Sequence, residues 1–459
     1  MLLDDALLWV LLLSGAAFAA SAVVLRRMCP LGCFTRHPKA YGDISYVADE
    51  QDPLLPQLSP IDFEGTLRAL ARARSSYEVN SALPGPALEW MFTTPTKANQ
   101  FVALCKDHVD YRAITVQNLA SLIVGLQHFA SSEPIAQFIT DCFRAKTAGD
   151  LLRLKQEIEK RVPVYDIVFR RIQNKLLQEC IITHMELQAR VLKVSLGFIA
   201  PVKLLSEIDD TLFAVQHERR YPDLTVYPGV QQFVKEVTCA RDFRSHRARV
   251  SLDHRDERPV FFTKRAELWR QRAEDELTTR SITDIVGGPE AAIKHKLQAI
   301  RRYKRIFGEC ELVFVGSNSL TDVAVVEELL RHPQLYNISA VLIHDVLQQH
   351  TVSPDGGVRF FRTYVGAAFQ LCQLDLLSLD AAVRVARAAS TAFRAIPFPH
   401  REAQDEAARE LADELVDLLL TLSPREANAL ATLMPGSVVR FLVDQLPDGD
   451  DYDEDELIV

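Results

Sequence analysis

The twenty residues from Ala6 to Leu25, ALLWVLLLSGAAFAASAVVL, carry no charge, and no other feature of the sequence narrows the possible folds as much. At 1.5 Å rise per residue they make a helix about 30 Å long, the thickness of a bilayer's hydrocarbon core. Asp4 and Asp5 stand before the run, and Arg26 and Arg27 follow it. Positive residues stay on the cytosolic side, so the run reads as an anchor with a lumenal N-terminus and a cytosolic body. The alternative is a cleaved signal peptide, since Ala17-Phe18-Ala19 and Ala20-Ser21-Ala22 both have the small-residue form of a cleavage site. The acidic residues at the start and the length of the apolar run favour the anchor. Cys29 and Cys33 then lie just inside the membrane face, as unmodified thiols or as sites of palmitoylation.

Behind the anchor the chain has the profile of a packed protein, with 48% hydrophobic and 25% charged residues among 459. A net charge of −9 argues against nucleic acid as a partner. The 8 cysteines are scattered and form no disulfide framework. Residues 1–27 are read as the membrane anchor and 28–60, with Pro38, Pro53, Pro56 and Pro60, as a linker. Residues 61–446 are read as one all-α cytosolic domain carrying a polar, basic insertion at about 216–280, where Arg241, Arg244, Arg247 and Arg249 crowd together. That segment is either a hydrated loop or a contact for anionic head groups. Residues 447–459 form an acidic tail expected to be disordered.

Helical periodicity supports the all-α assignment. Ile114, Val116, Leu119, Leu122, Ile123, Leu126 and Phe129 describe a helix apolar on most of its circumference, hence central and buried. Residues 149–200 continue the pattern with a break at Pro163. Ser319 with Asp322 has the form of a capping box, residues 338–350 read as a helix, Ser378 caps 379–394, and Ser423-Pro424-Arg425-Glu426 opens another helix. One segment dissents. Glu311-Leu312-Val313-Phe314-Val315-Gly316 looks like a strand followed by a turn, the opening of a βαβ unit, but GSNSLTD follows in place of a glycine-rich phosphate loop. A lone strand has nothing to pair with, so the segment is read as buried and extended or helical.

The sequence offers no P-loop, HExxH, GxSxG elbow, kinase signature or EF-hand. CPLGC has three residues between its cysteines and no second pair, so no metal site is assigned. His344-Asp345, with His350 nearby, is placed on a helix, where adjacent residues do not face each other. No catalytic residue and no cofactor are assigned, and the expectation is a protein that is not an enzyme. An enzyme with an α/β module starting at Leu312 would need several parallel strands.

Two stretches carry a resemblance. The first is Lys97-Ala98-Asn99-Gln100-Phe101-Val102-Ala103-Leu104, with Arg112 and the apolar helix Ile114 to Phe129 behind it. The second is Glu327-Glu328-Leu329-Leu330-Arg331-His332-Pro333-Gln334-Leu335, followed by Ala340-Val341-Leu342. With the N-terminal apolar run, they resemble the peroxin-3 family. The resemblance implies an all-α body, location in the peroxisomal membrane, and docking of an amphipathic helix of the chaperone peroxin-19 during insertion of peroxisomal membrane proteins. Phe101 takes the place of the family's anchoring aromatic, usually Trp. Lys97 and Leu104 match a flanking basic residue and a groove leucine, and Trp90 extends the patch. On that reading Phe101→Ala costs on the order of 2 kcal/mol of binding with the fold intact. The alternative is an armadillo-like helical adaptor anchored in the mitochondrial outer membrane or the endoplasmic reticulum.

Overall fold

The structure, a computed structural model, describes residues 62–83, 85–215, 217–238, 288–347 and 357–443, together with the backbone of 260–263 and 280–284. The expected anchor at Ala6 to Leu25, Cys29 and Cys33, the linker 28–60, the basic segment 241–258, His350 and the tail 447–459 lie outside the described residues. Among the described residues no helix is long and apolar enough to cross a membrane.

The all-α expectation is overturned. Six parallel strands form one sheet: β1 Val202–Glu207, β2 Val260–Thr263, β3 Arg280–Asp284, β4 Glu311–Ser317, β5 Ile338–His344 and β6 Val358–Phe361, in the order β3-β2-β1-β4-β5-β6. Every neighbouring pair runs parallel. The segment that looked like a lone strand is β4, central in the sheet and paired on both sides. The expected helix at 338–350 begins instead with β5, and the expected insertion at 216–280 supplies a helix and β2. Leu312, Val313, Phe314 and Val315 are all buried, because a central parallel strand is covered on both faces and reads as an unbroken apolar run. In β1 that run is disguised by Lys203, Ser206 and Glu207, which are also buried.

Among the described residues seven helices of about two turns or more precede the sheet, with shorter helical turns between them: α1 Phe63–Arg72, α2 Ser76–Ala82, α3 Pro95–His108, α4 Val116–Leu126, α5 Glu133–Arg144, α6 Ala148–Glu159 and α7 Lys175–Lys193. The break at Pro163 falls between α6 and α7, and α4 is buried along nearly its whole length, as its sequence indicated. The helix α8 (Val230–Thr238) joins β1 to β2; α9 (Pro289–Ile306) precedes β4, and α10 (Leu320–Arg331) follows it. After β6 come α11 Tyr364–Gln373, α12 Leu379–Arg394, α13 Arg401–Leu419, α14 Pro424–Ala431 and α15 Gly436–Val443. Ser378 caps α12, and Ser423 with Glu426 completes the expected capping box on α14.

Two apolar cores sandwich the sheet. The first joins α1–α7, α9 and α10 to Leu205, Leu312, Phe314, Val341 and Ile343. The second joins α8 and α11–α15 to Leu204, Val313, Val315, Leu342 and Phe361. Parallel crossovers are right-handed, so a helix leading from β1 to β2 and one leading from β4 to β5 must lie on opposite faces. Helices α8 and α10 do so, which makes the junction of β1 and β4 the point where the winding direction reverses.

Candidate functional site

In a doubly wound sheet of this order, ligands bind outside the carboxyl ends of the strands where the order reverses. Here that is the crevice beyond Glu207 of β1 and Ser317 of β4. The β1 exit reads Ser206-Glu207-Ile208-Asp209-Asp210-Thr211, with carboxylates where a dinucleotide-binding turn would have glycines. The β4 exit reads Ser317-Asn318-Ser319 and leads into α10.

A lysine joins the two exits. Lys296 of α9 sends its ammonium between Glu207 and Asp322, with Nζ 2.6 Å from Glu207 Oε2 and 2.7 Å from Asp322 Oδ1. All three residues are buried. Asp322 uses its other oxygen to accept from the backbone N–H and the hydroxyl of Ser317, both at 3.1 Å. This corrects the expected capping box: Ser319 is the N-cap of α10, but its side chain makes no cap bond, and Asp322 serves the lysine and Ser317. Burial pushes the Glu207 carboxyl up to about 8, against the pull of Lys296. Burial opposes the charge on Lys296 too, but Asp322 and Glu207 more than offset it and hold the ammonium above its ordinary range. Lys296 thus pairs with Asp322 at 2.7 Å, and the raised carboxyl of Glu207 is the one in the cluster that favours its protonated form.

The β1 exit loop continues across the carboxyl edge. Asp209 is half-buried. Asp210 is buried, has φ +51°, and accepts at its backbone oxygen from His344 Nδ1 (2.8 Å) at the end of β5. His344, expected on a helix, is thus a buried strand-end residue stacked on Phe361. Burial pushes its imidazole below the ordinary range, and both ring nitrogens face carbonyl oxygens, Nδ1 that of Asp210 and Nε2 that of Arg362 at 3.1 Å. Asp345 accepts from the Asn318 amide at 2.5 Å, which ties the β5 exit to the β4 exit. Asp345 also lines a cavity of about 710 Å³ between the ends of β5 and β6 and α13. Its walls carry six carboxylates, among them Glu406, Glu410 and Asp413, against two guanidinium groups, Arg362 and Arg409. Glu414 stands in the same wall, accepting from the backbone N–H groups of Arg362 and Thr363 and the Thr363 hydroxyl, each at 2.7 Å. Burial pushes it up to about 7.

These two raised carboxyls set a pH dependence with a defined sign. The folded state keeps protons on Glu207 and Glu414 that the unfolded chain, with ordinary values of 4.5, has released. Stability therefore falls as pH rises through their folded values. Below about pH 6.5 the opposite slope of His128, His184 and the buried His344, all lowered chiefly by desolvation, masks this. Between pH 6.5 and 8.5 a loss on the order of 2 kcal/mol is expected in urea unfolding. The Glu207→Gln, Glu414→Gln double variant should show a flat profile there. A wild-type protein equally stable at both pH values would show that these groups are ionised throughout.

The residues expected to bind a partner lie elsewhere. Lys97, Phe101 and Leu104 share α3; Trp90 sits on a separate helical turn, Leu88–Met91, and is 58% exposed. Phe101 is fully buried, its ring edge-on to Phe92 at 5.1 Å and to Phe138 at 6.2 Å between centroids. Leu104 packs half-buried on the same core, and the Lys97 ammonium lies 5.5 Å from the Phe63 ring centroid. Sequence reasoning missed Glu207, Asp209, Lys296 and Asp322. A signal for three of them was present. Three short runs, Val202 to Leu205 (apolar but for Lys203), Leu312 to Val315 and Ala340 to Ile343, are each followed by polar residues and an acid.

Among the described residues no three or more His, Cys, Asp or Glu side chains converge as a metal-binding group. Comparison with protein-family models, with curated proteins and with solved structures found no match.

Proposed function

We propose that this protein is a hydrolase of phosphate monoesters that works in the crevice between the β1 and β4 exits. The observation that carries the proposal is the buried Glu207–Lys296–Asp322 cluster at the reversal of the sheet. A phosphate monoester needs a cation and oriented N–H groups for its oxygens, and an acid for its leaving oxygen. Lys296 supplies the cation, the start of α10 supplies backbone N–H groups, and the proton held on Glu207 supplies the acid. Asp209 is the half-buried carboxylate of the same exit loop and the group placed to orient the attacking water. The neighbouring cavity takes the alcohol part of the ester, and its surplus of carboxylates disfavours further anionic groups there.

The apolar run Ala6 to Leu25 adds a membrane anchor to this proposal. The peroxin-19 docking role implied by the resemblance drew on an all-α body; with a parallel sheet at the centre, the fold lends it no support.

The full chain should hydrolyse p-nitrophenyl phosphate and a panel of phosphomonoesters, assayed with and without magnesium. Asp209→Asn should lower kcat by about a hundredfold or more, with the melting temperature little changed. A wild-type chain that turns over none of the panel, under either condition, would remove the proposal.

A further inference from the structure

We propose that His217, oriented by Asp210, is the general base of the crevice and draws the proton from the attacking water; the inference rests on the phosphate-ester reading above. A single buried carboxylate organises the loop after β1. Asp210 Oδ1 accepts from the backbone N–H of Val215 at 2.9 Å. Its Oδ2 accepts from the backbone N–H of His217 at 3.1 Å, and the same oxygen lies 2.8 Å from His217 Nδ1. Closing a turn requires only the two backbone bonds. The ring contact adds a carboxylate–imidazole pair, the arrangement that fixes the proton on Nδ1 and leaves Nε2 as the acceptor. The His217 side chain is 37% exposed, against 3% for Asp210, so water reaches the ring while the orienting carboxylate stays dry. Among the described residues no other protein group bonds the ring.

The loop also puts the pair at the carboxyl edge. Asp209, beside Asp210, belongs to the β1 exit, and the Asp210 carbonyl is bonded to His344 at the end of β5. Next along the loop, Glu218 binds Arg220, which also pairs with Glu410 in the cavity wall. His217 therefore sits on the loop that runs from the β1 exit to the residues paired with the cavity wall. The charged group that faces its ring is Asp210 from the β1 exit, and Glu218, Arg219 and Arg220 follow it on its own loop.

In the step assigned to it, His217 Nε2 takes a proton from water as the water oxygen bonds to phosphorus. The bond from phosphorus to the ester oxygen breaks, and that oxygen takes the Glu207 proton. Inorganic phosphate and the alcohol leave; His217 then releases its proton to solvent, and Glu207 regains one.

The test is the pH dependence of kcat for p-nitrophenyl phosphate with the full chain. The wild type should show an acidic limb in that profile, as a general base requires. His217→Gln should lower kcat by roughly 10²- to 10⁴-fold and abolish that limb. Inhibition by inorganic phosphate, which reads binding alone, should change by no more than about twofold. Free imidazole should restore part of the rate to His217→Ala, a recovery that a merely turn-closing side chain would not permit; the rescue also serves if the glutamine variant fails to fold. A glutamine variant with wild-type kcat and an intact acidic limb overturns the proposal, as does an alanine variant that imidazole leaves unchanged. A wild-type chain without phosphatase activity overturns the underlying reading as well, and that separate arm distinguishes the two failures.

Discussion

Replacing Lys296 by methionine is expected to destabilise the protein by about 3 to 5 kcal/mol. Methionine keeps the length of the side chain and fills most of its volume, so the loss is electrostatic rather than a cavity. It would leave the Asp322 carboxylate buried beside Glu207 with no cation, and its hydrogen bonds from Ser317 alone do not replace an ion pair at 2.7 Å. The cluster also joins α9, β1 and α10, so its loss loosens the seam between the two halves of the sheet. Urea unfolding of Lys296→Met gives the number directly. Adding Asp322→Asn should recover part of it, because the orphaned charge then disappears, and a double-mutant cycle would measure the coupling. A single-variant loss below about 1 kcal/mol would show that water reaches the cluster, and the raised Glu207 would lose its physical cause.

Phe101→Ala is expected to cost about 3 to 5 kcal/mol of folding stability. The ring has no exposed surface, and its neighbours Phe92 and Phe138 are themselves buried core, so a cavity would remain where it stood. This differs in kind from what the sequence indicated for the same substitution, a weakened partner interface on an intact fold. Trp90, at 58% exposure, is the contrast: Trp90→Ala should change stability by less than about 1 kcal/mol. Thermal and urea unfolding of the two variants side by side would decide; a Phe101→Ala protein as stable as the wild type would mean that the ring is a surface group.

The helices of this fold were legible in the sequence, while its organising element was not. The apolar circumference of α4, the break at Pro163, the Ser378 cap and the Ser423 box all follow from local rules that act within a turn or two. A parallel sheet obeys no such rule, because its hydrogen bonds join segments far apart in sequence. The β4 segment was visible as a strand and set aside for want of a partner, yet its partners are β1, hidden by Lys203, Ser206 and Glu207, and β5, whose apolar run suits a helix equally well. A short buried strand and a stretch of buried helix have the same composition, and periodicity does not separate them. The site was lost for the same reason. Glu207, Lys296 and Asp322 lie on three elements that only the sheet brings together, so no spacing in the sequence marks them. The Ser319–Asp322 pattern illustrates the cost: a sound local signature located the start of α10 but assigned Asp322 to its cap, when tertiary contacts had claimed it.

The pairing of β1 with β4 also fixes how this chain must behave while it is being made. Val202 has its partner at Glu311, and the core beneath α1–α7 is completed by Phe314, Val341 and Ile343. At ribosomal rates of about 5 to 20 residues per second, the roughly one hundred residues between those strands take on the order of 5 to 20 seconds to emerge. Throughout that interval the early helices present an uncovered apolar face. Aggregation of nascent or truncated chains ending before residue 311 is the vulnerability built into this topology.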